Sequence, residues 1–209
     1  MDFILNGEER DLDLSDCANL AELVAIAETF DAGREESVVV AVEIDGEELS
    51  PDELSALETR SLDGIDRVAI QRKPTRVVAY SVLEQGADYC GQIVDAMSQT
   101  VEHFQSGRAD KGNELLADVT DSLTVLTGIT YSVASILKED AESLAAVQGE
   151  IFPWLQELVE AQGEEDPLRI ADLLEYEIKT RIEQWGTVMR ALSKGEPMTP
   201  TAGTSPLSN

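Results

Sequence analysis

Apolar residues recur along residues 166–195 at steps of three and four: Ala171, Leu174, Ile178, Trp185, Met189 and Leu192, with Ile182 filling the gap. That rhythm predicts one long helix with a coiled-coil-like stripe down one side. Its ends are marked too. Asp166 is a good N-cap, Pro167 suits the first helical position, and Gly195 suits the residue just past the end. Such a stripe must be covered by similar helices, and three helical segments precede it. Ala79, Leu83, Gly86, Cys90, Ile93, Met97, Val101 and Phe104 mark the first, which stops near Ser106-Gly107. Leu116, Val119, Leu123, Leu126, Val133 and Leu137 mark the second, starting near Asp110. Its Thr124, Thr127, Gly128 and Thr130 are mediocre helix formers, and these small residues suggest a close helix contact. The third covers residues 140–161, where Pro153, lacking an N–H, is expected to force a kink or a new start. Gly163-Glu164-Glu165 turns the chain into the fourth. Four helices joined by short turns predict an antiparallel four-helix bundle over residues 76–195, with a disordered tail, rich in Pro, Ser, Thr and Gly, at 196–209.

Upstream the period is two instead of three and a half. Residues 2–6 and 11–14 are short alternating runs around Gly7-Glu8-Glu9-Arg10, a hairpin signal. Asn19 with Glu22 opens a helix whose buried face is Leu20, Leu23, Val24, Ala27 and Phe30, and Gly33 stops it. Residues 38–44 form the strongest strand, β-branched almost throughout. Asp45-Gly46 is a turn before a short strand at Glu48-Leu49, Ser50 with Glu53 opens a short helix, and residues 67–72 alternate as a last strand. Lys73-Pro74-Thr75 makes the junction to the helices. The fold class expected is therefore α+β.

The order strand, strand, helix, strand, short strand, short helix, strand resembles the ubiquitin-like β-grasp fold over residues 1–73. On that resemblance Phe3, Leu5, Leu12, Leu14, Leu23, Val40, Val42, Val68 and Ile70 fill the core between sheet and helix. Ile4, Val39, Ala41 and Ala69 then alternate to the opposite sheet face, which ubiquitin-like domains often use for binding. Ubiquitin-like modifiers and sulfur carriers end in an activated Gly-Gly. Here Gln71-Arg72-Lys73-Pro74-Thr75 follows the last strand and Ser208-Asn209 ends the chain, so a carrier or modifier role is not expected. Residues 76–195 resemble uncharacterised bacterial helical domains with an LLEYE-type motif in the last helix, here residues 173–177, a resemblance that implies no activity.

Charge narrows the partners. With 42 acidic residues against 15 basic ones the net charge is −27, which repels phosphate backbones and anionic lipid headgroups. Nucleic acid and membrane surfaces are not expected partners. Met1 leads straight into a strand-like run without a signal-peptide arrangement, and no apolar stretch approaches the ~18 residues of a membrane span. Cys17 and Cys90 match no metal-ligand spacing and suggest no structural disulfide, so a reducing cytoplasm is the expected setting.

Candidate chemistry is sparse. Di-metal carboxylate sites in helical bundles need Glu-x-x-His, but the only histidine is His103 and Thr100 stands three residues before it. His103 reads as a boundary residue near a helix C-terminus. Asp118/Asp121, Glu139/Glu142 and Asp172/Glu175 have the one-turn spacing by which all-helical Mg²⁺-dependent nucleotide pyrophosphatases hold metal, yet one residue in five is acidic and such pairs arise by chance. Glu175–Lys179 and Glu177–Arg181 have ordinary surface ion-pair spacing. No phosphate loop or nucleophile elbow is present. The expected protein is a non-enzymatic interaction or adaptor module without a cofactor. It would bind another protein, or a second copy of itself as a homodimer, through Ile4, Val39, Ala41 and Ala69 or through a bundle groove. The alternative is a Mg²⁺-dependent hydrolase using Asp118, Asp121, Asp172 and Glu175.

Overall fold

The computed structural model describes residues 1–11, 17–30 and 36–195. The expected strand at 11–14 with Leu12 and Leu14, the stop at Gly33 and the tail at 196–209 lie wholly or largely outside them. The architecture is α+β: a five-stranded mixed sheet precedes a run of long helices. The chain forms two compact units, Met1–Val78 and Ala79–Asn209.

In the first unit the strands are β1 (Asp2–Leu5), β2 (Glu8–Glu9), β3 (Ser37–Ile44), β4 (Glu47–Glu48) and β5 (Arg67–Pro74), with helices α1 (Leu20–Thr29) and α2 (Pro51–Leu54) between them. The sheet order is β2-β1-β5-β3-β4, with β1 parallel to β5 and the other pairs antiparallel. Both hairpins turn on two residues with positive φ, Asn6-Gly7 (52° and 82°) and Asp45-Gly46 (51° and 92°), the backbone that suits right-twisted strands. β2 thus begins at Glu8, within the segment expected to be the turn. Asn19 accepts from the Glu22 N–H and starts α1, while the Ser50–Glu53 capping box starts α2. At the other end of α1, Arg72 Nη1 donates to the Ala27 and Glu28 carbonyls at 2.8 and 3.2 Å, placing a cation on the negative end of the helix. Phe3, Leu5, Leu20, Leu23, Ala27, Val42, Ile44, Leu49, Val68 and Ile70 form the core.

A β-bulge corrects the expected alternation. Val39 faces Arg72 and Ala41 faces Gln71, so Val40 is an extra residue without an opposite number. The inserted residue resets the period of two. Val40, expected in the core, is 38% exposed, and Val39, expected on the outer face, packs against the core.

The helices that follow are α3 (Thr75–Gln105), α4 (Ala109–Leu137), α5 (Glu142–Gly163), α6 (Pro167–Asp172) and α7 (Lys179–Ser193). A 3₁₀ turn (Lys138–Ala141) joins α4 to α5, and a π-helical turn (Leu173–Ile178) joins α6 to α7. Asp166 caps α6 through bonds from the Leu168 and Arg169 N–H groups, and Glu165 (φ 55°) makes the turn before it. α5 runs through Pro153 with no new start. Both Pro153 and Gly149, whose carbonyl loses its donor, are exposed, so water can take the missing bond. Leu83, Ile93, Met97, Leu116, Leu126, Leu137, Leu144, Leu174 and Trp185 are among the large, fully buried side chains of this unit. Among the described residues no helix is long and apolar enough to cross a membrane.

The small residues of α4 are not where helices come closest: Thr124, Thr127 and Gly128 are exposed, and only Thr130 is buried. Close approach occurs between α3 and α7, where a Cβ on Gly186 would stand 3.0 Å from the Cys90 Cβ and 3.3 Å from the Ala87 carbonyl oxygen. Opposite effects are therefore expected from one substitution at two sites. Gly128→Ala meets nothing within 4 Å and should raise stability by about 1 kcal/mol through helix propensity. Gly186→Ala should lower it, because backbone and a short side chain cannot yield. Thermal melts of the two variants check this, and a gain at Gly186 would contradict the close packing.

Candidate functional site

Three surfaces carry the expected site residues. The first is the sheet face turned away from α1. Ile4, Ala69 and Glu43 stand in one row across β1, β5 and β3, and Ala41 faces Gln71 in the next. Ile4, Ala41 and Ala69 are half-buried, whereas Val39 leaves this face at the bulge. What remains of the expected apolar face is small.

The second comprises the carboxylates proposed for metal. Asp118 and Asp121 on α4 and Asp172 at the end of α6 are exposed. Glu175, in the π-helical turn, accepts from Gln105 Nε2 at 3.1 Å, and Lys179 donates to Ser98 at 3.2 Å. Both ends of the expected Glu175–Lys179 pair are thus engaged by α3. A π turn advances more residues per turn than an α turn, so side chains four apart no longer stack. Arg181 and Glu177, just beyond it, do pair at 3.0 Å. Ser98, Gln105, Glu175 and Lys179, with Met97, Val101 and Leu174, line a cavity of about 190 Å³ between α3 and the π turn. Among the described residues no group of three or more His, Cys, Asp or Glu side chains could hold a metal ion, and the Glu139 side chain lies outside them. His103 is half-buried in the last turn of α3.

The third consists of grooves between helices. One of about 340 Å³ runs between α3 and α7 over Ala87, Cys90, Gly91 and Gly186, and Arg190 pairs with Asp88 at 3.0 Å nearby. Burial pushes the Cys90 thiol up to about 12, so it stays protonated and unreactive at neutral pH. The folded chain keeps a proton that the unfolded chain gives up near pH ~8.5. This contribution is therefore intact below that pH and is lost as pH rises toward 12. In a thiol-reagent assay at pH ~8, Cys90 should react only as fast as the helical unit opens; rapid labelling in the native state would contradict its burial.

The other groove, about 350 Å³, lies between α3 and α4 and is lined by Val82, Gln85, Gly86, Tyr89, Gln92, Val125 and Ile129, without a charged side chain. Val125 is 53% exposed there. Sequence patterning passed over it because it falls off the buried stripe of α4. A usable signal exists: residues 122–137 contain no Asp, Glu, Lys or Arg, in a chain that is 27% charged.

No curated protein and no solved structure matches this chain. Residues 81–188, from early α3 to late α7, match DUF8042, a domain of unknown function, and the chain belongs to that family.

Proposed function

We propose that the chain is a non-enzymatic protein–protein interaction module, a ubiquitin-like β-grasp domain followed by an antiparallel four-helix bundle, acting through the groove between α3 and α4. Support for the first part is the mixed sheet with β1 and β5 parallel at its centre and α1 packed against it. Support for the second is the succession of long helices joined by short connections around one apolar core. One observation carries the functional reading: a charge-free apolar groove with an exposed valine, in a chain of net charge −27. An amphipathic helix of a partner protein, laying small apolar residues against Gly86 and Val125, suits such a groove. The sheet face is the lesser candidate, because Ile4, Ala41 and Ala69 are half-buried and mostly small.

Cross-linking in host extract followed by mass spectrometry tests the reading. The prey captured by the wild type should be lost with Val125→Asp and kept with Ala69→Asp. The reverse pattern would move the interaction to the sheet face. A Mg²⁺-dependent release of pyrophosphate from nucleoside triphosphates, abolished by Asp172→Asn with Glu175→Gln, would replace this reading with the hydrolase.

A further inference from the structure

We infer that the outer face shared by α4 and α5 docks a second copy of this chain. At ~100° per residue, Thr120, Thr124, Thr127 and Tyr131 lie along one side of α4, and Phe152, Gln156 and Val159 along one side of α5. The opposite side of α4 faces α3 through Val125 and Ile129. The opposite side of α5 faces α7, where the Arg181 guanidinium lies 4.5 Å from the centre of the Trp154 ring. Since α4 packs against α5, the two remaining sides adjoin. On them Tyr131 is 75%, Phe152 53% and Val159 65% exposed, and no residue named on this face is charged.

The charge balance selects the occupant. A two-fold dimer sets a patch against its own copy. On a chain of net charge −27, any patch bearing carboxylates would then meet carboxylates. A charge-free face escapes that repulsion, whereas a basic partner of another kind would be drawn to the carboxylates elsewhere. The uncharged side of α5 runs from Ala145 to Gly163, ~27 Å at 1.5 Å per residue, and two helices side by side are ~20 Å wide. Each copy could then bury ~500 Å², or ~1,000 Å² in total, the lower limit for a specific contact. A reversible dimer follows. It should tighten with salt, which screens the repulsion between the two acidic bodies.

Sedimentation equilibrium of the full chain over a concentration series tests it. The wild type should rise from 22.7 kDa toward twice that mass, and more readily at high NaCl than at low. Tyr131→Glu with Phe152→Glu should hold the chain monomeric, with a wild-type circular dichroism spectrum because both positions are exposed. Thr124→Glu, a milder charge on the same face, should weaken association, and Val125→Asp should leave it intact. A wild type that stays monomeric throughout at high salt overturns the inference. So does unchanged association of both charged-face variants.

Discussion

Replacing Trp185 with alanine is expected to unfold the helical unit while the sheet unit persists. Trp185 is 1% exposed, on the stripe of α7 that also buries Ile182 and Met189. Truncating a large buried aromatic typically costs ~3–5 kcal/mol, because the cavity left behind cannot fully collapse. That approaches the whole stability of an ordinary domain, ~5–15 kcal/mol. The indole contributes by packing: its Nε1–H is buried with no acceptor among the described residues. Trp185→Phe should therefore cost far less than alanine, since it keeps most of the volume and removes a buried donor that lacks a partner. Melting followed by circular dichroism at 222 nm, where long helices dominate, separates the variants. Wild-type melting of Trp185→Ala would place the side chain outside the core.

Leu23→Ala is expected to do the same to the sheet unit. Leu23 is fully buried on α1, against Val42, Val68 and Ile70 of the sheet. A Leu→Ala change in a core costs ~2–5 kcal/mol. A unit of this size buries a smaller fraction of its surface than a large domain and has less stability to lose. Amide exchange read by mass spectrometry should show β1, β3 and β5 losing protection while α3 to α7 keep theirs. Simultaneous loss in both units would show that they unfold as one.

The α+β order could be read from residues because two periods are written plainly in the chain. Leu83, Ile93, Met97, Leu116, Leu126, Leu174 and Trp185 all sit on the stripes that the three-and-four spacing marks, and all are buried. The misreadings share a cause, a local insertion or exposure that pattern alone does not reveal. Val40 shifts the register of β3, which exchanges Val39 between faces, and no residue type announces a bulge within a run of valines. The π turn at Leu173–Ile178 adds residues to a helical turn without breaking the hydrophobic stripe, so Leu174 and Ile178 stay buried while Glu175 and Lys179 bond to Gln105 and Ser98. Pro153 looked like a stop because its missing N–H is visible in sequence, whereas the exposure of the Gly149 carbonyl that tolerates it is not. The α3–α4 groove was hidden because Val125 lies among threonines outside the stripe. Its neighbours matter more for lacking charge than for being apolar.

The two edges of the sheet bear on how the chain behaves when crowded. Among the described residues the outer strands β2 and β4 are only Glu8–Glu9 and Glu47–Glu48, so β4 covers β3 at Glu43 and Ile44 alone and leaves Ser37–Ala41 without a strand on that side. A foreign strand seeking to extend the sheet would find little backbone and a double glutamate at β2 or β4, but a longer valine-rich segment along the open side of β3. Two sheets meeting at these short strands would press glutamate against glutamate. Growth from this unit would therefore start along the open side of β3, where Val38, Val39 and Val40 stand. Its tendency to fibrillate should follow access to that side of β3 rather than global unfolding.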